Sequence, residues 1–185
     1  DFKDWELLIA DGNSTDGTVD LIRKYEAHIA WWESEDDEGI YDAWNKALAR
    51  ARGEYVCFLG ADDLWSDSGS LSRLFEAAQG HDCDLITSRG LYCDSSNGKS
   101  FQFGSAWNYR RLGRYMVVCH PGLLHRRDLF LTHGFFDTRY RIAGDLDFLL
   151  RLPEDVTTIH VDICSVIVEA AGISRRNVIA RLREQ

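Results

Sequence analysis

Two adjacent carboxylates follow a short apolar run in the first third of the chain. The run lies within the stretch 53–63, begins and ends near glycines, and leads directly to Asp62 and Asp63. Such a run is typical of a strand buried on both faces of a parallel sheet. Because open α/β sheets bind ligands beyond the carboxyl ends of their strands, this pair is a candidate ligand or metal platform. The alternative is an ordinary helix cap, for which aspartate is well suited.

Two further aspartates occupy comparable places in the pattern. Asp11 ends a second apolar run, 5–10, and begins a turn-rich segment that extends to residue 18. Asp145 lies at the N-cap or in the first turn of a predicted helix that ends near Leu152. The helix dipole favours a carboxylate there, so a purely structural reason for Asp145 stays open. Asp147 has a similar alternative, because Arg151 lies one helical turn further on.

Alternating strand and helix patterns must position these carboxylates. Successive strands and helices predict right-handed parallel crossovers, and Asn97-Gly98 predicts a hairpin between two short runs. We therefore expect an α/β fold in a single domain, 1–185, with a Rossmann-like, mainly parallel sheet flanked by helices and a small antiparallel hairpin. The predicted strands are 5–10, 28–32, part of 53–63, 84–88, 116–124 broken by a turn, and 157–168; the predicted helices are 18–26, 39–51, 70–78, 127–133, 145–152 and a final basic helix.

Composition limits the class of partner. The formal net charge is -9 and no long basic run occurs, so we expect no nucleic-acid partner, because that needs a clustered positive surface. The short basic segment 109–114 is either solvated surface or a phosphate contact. No apolar run is long enough to cross a bilayer. The five cysteines are scattered and odd in number, which disfavours zinc or a disulfide framework and favours a reducing cytosol.

Four segments resemble, in their order and spacing, the family 2 glycosyltransferases, which have the GT-A fold. The segments are 11–18 (DGNSTDGT), 39–48 (GIYDAWNKAL), 53–63 (GEYVCFLGADD) and 144–152 (GDLDFLLRL). The resemblance extends over nearly the whole chain. It implies a nucleotide-binding part at about 1–65 and an acceptor part at about 85–185.

The resemblance implies a role for each aspartate. Asp11 matches the residue that contacts the nucleobase of the donor, Asp62 matches the one near the ribose, and Asp42 is expected to bind the nucleotide with them. Asp63 matches the ligand of a divalent cation, Mn²⁺ or Mg²⁺, on the donor pyrophosphate. Asp145 matches the catalytic base. One carboxylate suffices to deprotonate the acceptor hydroxyl in an inverting transfer, and the metal neutralises the leaving diphosphate.

The implied partners are a nucleotide-sugar donor and a saccharide or lipid-linked saccharide acceptor, in the setting of bacterial surface polysaccharide assembly. The expected location is the cytoplasm, at the inner face of the membrane without a span. His120 lies where the acceptor side is expected, although a structural histidine before Pro121 is the alternative. The segment 172–174 resembles a loop that closes near the donor.

The chain also departs from the family pattern. Glutamate commonly precedes the base, whereas this chain has Gly144, so Asp147 competes with Asp145 as the base. The family's leading strand is absent, and we expect roughly 20–40 further N-terminal residues, about one strand and one helix. Two other functions stay open. One is a metal-dependent nucleotidyltransferase, although the sequence has no Gly-rich basic phosphate loop. The other is a non-catalytic nucleotide- or carbohydrate-binding module of the same fold.

Overall fold

The structure is a computed structural model, which describes residues 2–169 of the chain. The strands are β1 (Leu8–Asp11), β2 (Trp31–Ser34), β3 (Tyr55–Val56), β4 (Leu64–Trp65), β5 (Leu85–Asp94), β6 (Lys99–Phe103), β7 (Leu124–Arg126) and β8 (Thr158–Glu169). The helices are α1 (Thr18–Lys24), α2 (Ile40–Leu48), α3 (Ser70–Ala78), α4 (Tyr109–Leu112), α5 (Asp128–His133) and α6 (Gly144–Arg151), and a 3-10 turn spans Glu26–His28. The predicted loop 172–174 and the final basic helix lie outside the described residues.

The strands form two sheets. β1 and β2 pair in parallel, with Asp11 opposite Ser34 at their carboxyl ends. The second sheet has the order β3-β7-β5-β8-β4, and β6 pairs with β5 beside this path. The α/β class is confirmed, but the expectation of a mainly parallel sheet is wrong. Of the described pairings only β1–β2 and β5–β8 are parallel, and the other four are antiparallel.

The apolar stretch before Asp62 is a strand only at its start. Tyr55 and Val56 pair with β7, after which the chain leaves the ladder and turns, with the Asp63 N–H donating to the Gly60 carbonyl at 3.1 Å. The side chain of Phe58 is nevertheless buried. The stretch is therefore apolar because it packs into the core. Only two of its residues form a strand, because β3 pairs with β7 alone and only at Tyr55 and Val56. Similarly, the predicted strand 116–124 is largely unpaired, because β7 spans only Leu124–Arg126. The predicted strand 28–32 begins later, at Trp31, because the 3-10 turn precedes it.

Local signals are confirmed where the turn chemistry is strong. The hairpin of β5 and β6 closes opposite Asp94 and Lys99, and Gly98 has a φ of +69°, the left-handed region that glycine tolerates. Helix α3 has the predicted bounds, and α6 begins at Gly144 so that Asp145 lies in its first turn. The four-residue turn of the hairpin permits only antiparallel pairing of β5 with β6.

Two hydrophobic clusters form the core. The smaller one lies between α3 and the large sheet and includes Leu74, Ile86 and Leu124. The larger one unites α2, α5 and α6 with the segment that follows β3. Helix α2 contributes Tyr41, Trp44 and Leu48 to it from one face, at the spacing of an amphipathic helix. The larger cluster therefore connects the elements that carry the candidate residues.

Candidate active site

An aromatic layer joins the parts of the chain that carry the candidate aspartates. The Trp44 ring lies 4.8 Å from Phe58, 5.6 Å from His120 and 5.5 Å from Phe136, measured between ring centroids. Tyr41, one helical turn before Trp44, lies 5.5 Å from Phe136. Phe58 is four residues before the paired aspartates, and Tyr41 contacts the start of α6. One packed layer thus supports both the acidic pair and the candidate base.

The acidic pair lies in the turn that follows β3. Asp62 is exposed, whereas Asp63 is half-buried and accepts a hydrogen bond from the Gly60 N–H at 2.8 Å. Burial raises the pKa of Asp63, the Gly60 hydrogen bond opposes this, and the charge of Asp62 raises it again. Within residues 2–169 no basic side chain forms a salt bridge with either carboxylate. Among these residues only the Gly60 hydrogen bond offsets their mutual repulsion, and a cation would relieve it further.

The donor set fits a hard divalent cation that arrives with its ligand. Among the described residues no group of three or more His, Cys, Asp or Glu side chains is placed to hold a metal ion alone. Asp63, with Asp62 beside it, would supply carboxylate oxygens, and phosphate and water oxygens would complete the shell, as is usual for Mg²⁺. Burial, with the charge of Asp63, raises the pKa of nearby Cys57 to about 12, so this thiol stays protonated and is a poor ligand.

Asp11 is held in one orientation at the end of β1. Its Oδ2 accepts hydrogen bonds from the Ser34 hydroxyl at 2.6 Å and from the Ser14 N–H at 2.9 Å. Burial alone would raise the pKa of Asp11, but these hydrogen bonds outweigh burial and lower it. The carboxylate is thus ionised and fixed, and it can accept a hydrogen bond from a ligand.

Asp42 has contacts that stabilise the start of α2. Its carboxylate accepts a hydrogen bond from the Glu38 N–H at 3.2 Å and lies 3.6 Å from the Lys46 ammonium, one turn further along the helix. These are the interactions of a helix-terminal acid. A contact between Asp42 and a nucleotide remains a prediction.

Asp145 is the most strongly perturbed carboxylate in the candidate site. Its Oδ1 accepts hydrogen bonds from the Leu146 N–H at 2.8 Å and from the Tyr41 hydroxyl at 3.2 Å. Burial raises the pKa of Asp145 from an ordinary 3.8 to about 6, even though both hydrogen bonds act in the opposite direction. A carboxylate of this basicity is ionised at neutral pH and accepts a proton more readily than an exposed aspartate, as a general base must.

Packing explains why residue 144 is a glycine. A Cβ atom at this position would lie 2.8 Å from two ring carbons of Tyr41, and the Tyr41 side chain is buried. Any larger residue would have to displace this ring from between Trp44 and Phe136. The absence of the usual glutamate is therefore matched by a tyrosine that fills the space and reaches the candidate base.

Asp147 and Arg151 form an ion pair, which is the structural alternative to a role for Asp147 as the base. The Arg151 Nε lies 3.3 Å from an Asp147 oxygen. The same guanidinium donates to the His133 carbonyl at 2.5 Å and the Phe135 carbonyl at 2.7 Å. These bonds fasten α6 to the end of α5. The structure thus brings Asp147 into the turn of Asp145, but its partner gives it a structural role.

His120 is enclosed by the aromatic layer. Its side chain is 3% exposed, and its ring lies 5.2 Å from that of His125. Burial lowers the pKa of His120 to about 3, so the ring is neutral at physiological pH. These surroundings favour the structural alternative over a contact with an acceptor.

Two residues with direct contacts to the candidate aspartates did not stand out in the sequence. Ser34 follows an apolar strand and bonds Asp11, and Tyr41 lies on the apolar face of α2 and bonds Asp145. The available signal for Tyr41 is that a buried tyrosine hydroxyl needs a hydrogen-bond partner. The partner itself is 104 residues away and has no local signature.

Comparison with solved structures identifies the fold. S. aureus TarS, residues 1–349 in complex with UDP, matches with a TM-score of 0.69 and 19% identity, over 89% of this chain and 51% of that one. The mannosyltransferase PcManGT from Pyrobaculum calidifontis, in complex with GDP-Man and Mn²⁺, matches with a TM-score of 0.64 and 19% identity, over 95% of this chain and 51% of that one. The expected GT-A fold is confirmed.

The sequence comparisons then show the family. The chain belongs to glycosyl transferase family 2, whose model matches residues 1–130. A PGL/p-HBAD biosynthesis glycosyltransferase of Mycobacterium bovis is 32% identical over 151 residues, which are 80% of this chain and 58% of that relative. The putative teichuronic acid biosynthesis glycosyltransferase TuaG of Bacillus subtilis is 46% identical over 66 residues, 33% of this chain and 25% of the relative. The chain thus spans little more than half the length of the first relative.

None of the helices described in residues 2–169 combines the length and the apolar character needed to cross a membrane.

Proposed function

We propose that this domain is an inverting glycosyltransferase that uses a nucleotide-sugar donor and a divalent cation, Mn²⁺ or Mg²⁺. The observation that carries the proposal is Asp145, a half-buried carboxylate at the start of α6 whose pKa is raised to about 6 by burial. Family membership supports the reaction class. The acidic pair at Asp62 and Asp63, with no basic partner in the described residues, supports the use of a cation.

In the proposed reaction Asp145 takes the proton from the acceptor hydroxyl as that oxygen attacks the anomeric carbon of the donor. The bond from the anomeric carbon to the nucleoside diphosphate breaks in the same displacement, which inverts the configuration. No second carboxylate is needed as a nucleophile. The Leu146 N–H and the Tyr41 hydroxyl hold the base in one orientation before the acceptor arrives.

On the donor side, Asp11 is proposed to accept a hydrogen bond from the nucleobase, because Ser14 and Ser34 fix its carboxylate at the end of β1. Asp62 is proposed to lie near the ribose, with Asp42 nearby, and Asp63 to hold the cation. When bound, the divalent cation would neutralise the charge that develops on the leaving diphosphate.

The acceptor proposed is a saccharide or lipid-linked saccharide in bacterial glycan assembly, reached at the cytoplasmic face of the membrane. The names of two relatives, in PGL/p-HBAD and teichuronic acid biosynthesis, support this setting. We further propose that the nucleotide binds mainly to residues 1–65 and the acceptor mainly to residues 85–185. The second half contains α6 and therefore the base.

The test compares Asp145→Asn with Asp147→Asn in transfer assays that supply a panel of nucleotide sugars with Mn²⁺. We expect Asp145→Asn to lower kcat by at least about a hundredfold, the usual scale for loss of a general base, with the donor Kd close to wild type. Asp147→Asn is the matched control and should keep its turnover. An active Asp145→Asn with a crippled Asp147→Asn would contradict the assignment.

The same assay separates the other two functions. A binding module would bind nucleotide without turnover in the wild-type protein, and a nucleotidyltransferase would transfer the nucleotidyl group of the nucleotide sugar and release a sugar phosphate instead of a nucleoside diphosphate.

A further inference from the structure

The candidate base has a side-chain partner that lies outside its own motif. Tyr41, in the first turn of α2, places its hydroxyl 3.2 Å from the Asp145 Oδ1 and 2.6 Å from the carbonyl oxygen of Ile142. The hydroxyl carries one proton, so it can donate well to only one of these two acceptors at a time. The two acceptors therefore compete for the same proton.

We propose that Tyr41 is a positioning residue for the base, because its hydroxyl donates to Asp145 when that carboxylate is ionised and to the Ile142 carbonyl when the carboxyl is protonated. This inference rests on the proposed function, since it concerns the base of that reaction. The Tyr41 proton stays on its own oxygen throughout. When Asp145 has taken the proton of the acceptor, its new O–H group donates to the oxygen of Tyr41.

The Tyr41 ring is fixed, so that only its hydroxyl can respond. The side chain is 4% exposed and packs edge-on against Trp44, with ring centroids 5.6 Å apart. On the α6 side the backbone of Gly144 leaves space for the ring that no Cβ would leave. The reorientation therefore needs only rotation about the C–O bond, and Gly144 is part of the arrangement because it admits the ring.

Tyr41 also stabilises the ionised form of Asp145, because its hydrogen bond lowers the pKa of this carboxyl. In the described part of the chain, burial raises the pKa of Asp145, whereas the N–H groups of Leu146 and Asp145 and the hydroxyl of Tyr41 lower it. The charged side chains of the two helices that meet here are paired among themselves, Asp42 with Lys46 on α2 and Asp147 with Arg151 on α6. Burial and the charge of Asp145 raise the pKa of Tyr41, so its hydroxyl stays a neutral donor across the working range of pH.

The test is Tyr41→Phe, which keeps the ring and removes the hydroxyl. The matched control is Tyr55→Phe, because the Tyr55 hydroxyl donates to the Cys83 carbonyl at 2.6 Å and has no contact with the base. We expect Tyr41→Phe to raise the Asp145 pKa by about one pH unit, as for a weak hydrogen bond to a charged acceptor. Carbon NMR of the Asp145 carboxyl and the acid limb of the kcat/KM profile should both move, and Tyr55→Phe should move neither.

The two readouts distinguish this proposal from the proposed function. The NMR titration needs no turnover, so an unmoved pKa in Tyr41→Phe overturns the role of Tyr41 even if Asp145→Asn is inactive. A shifted pKa combined with a fully active Asp145→Asn overturns the base assignment and, with it, the role of Tyr41. A shifted pKa with an inactive Asp145→Asn supports both.

Discussion

Replacing Asp145 by asparagine should stabilise the protein at alkaline pH while it removes the proposed activity. The folded state raises the pKa of this carboxyl from 3.8 to about 6, so the native protein binds the proton more tightly than the unfolded chain does. The free energy of unfolding therefore falls as pH rises from about 4 to about 6 and stays low above that range. Asparagine does not ionise and avoids this cost.

The size of the effect follows from the pKa. A rise from 3.8 to about 6 corresponds to roughly 3 kcal/mol of unfolding free energy at pH 8. The amide oxygen of asparagine can still accept from Leu146 and Tyr41, but its NH₂ group needs a partner, which costs about 1–2 kcal/mol. We therefore expect Asp145→Asn to be about 1–2 kcal/mol more stable than wild type at pH 8 and no more stable at pH 4.

The assay is urea unfolding of both proteins at pH 4 and pH 8. Asp147→Asn is a control of opposite sign, because its carboxylate pairs with Arg151 at 3.3 Å and its loss should lower stability at pH 8. The contrary outcomes are an Asp145→Asn protein that is less stable than wild type at pH 8, or one whose gain in stability is equal at both pH values. Either result would mean that the folded protein does not resist ionisation of Asp145.

Two further predictions concern the acidic pair and the ion pair of α6. Asp63→Ala should abolish Mn²⁺-dependent binding of a nucleoside diphosphate in calorimetry while the fold persists. The control Asp67→Ala, which removes a surface acid paired with Arg73, should keep this binding. Unchanged nucleotide affinity of Asp63→Ala, with and without metal, would contradict the role of Asp63. Arg151→Met should lower the unfolding free energy by about 2–3 kcal/mol in urea, because Asp147 loses its cationic partner and two carbonyls lose their donor. The exposed Arg139→Met should have little effect, and equal losses in the two variants would show that Arg151 is merely a surface charge.

Much of the local structure could be predicted because its signals are local. The bounds of α3 follow from apolar spacing, and the hairpin follows from Asn97-Gly98. The place of Asp145 in the first turn of α6 follows in the same way. The pairing of the strands could not be predicted, because β7 pairs antiparallel with β3, about 70 residues earlier in the sequence, and with β5, about 40 residues earlier. Apolar content indicates burial of 53–63, but not how many residues find a partner strand.

The candidate site also has a part that the sequence predicts and a part that it does not. The aspartates at the ends of apolar runs are visible in the sequence because they directly follow these runs. The partners that set their protonation are not visible. Tyr41 has the spacing of a core residue, and the glycine that admits its ring is Gly144, about 100 residues later in the sequence. Neither position is informative without the other.

The distance in sequence between Tyr41 and Asp145 has a consequence for how the protein is made. Their hydrogen bond spans 104 residues, and the Asn45 amide bonds to Phe136 span 91. Contacts of such separation form late, after local helices, so refolded protein should recover its helical signal before its activity. On the ribosome, at about 5–20 residues per second, α2 would wait about 5–20 s for α6. Through that interval Tyr41 and Trp44 lack their partners from the second half of the chain, and the nascent protein presents an aromatic face to which chaperones, or other unfinished chains, can bind.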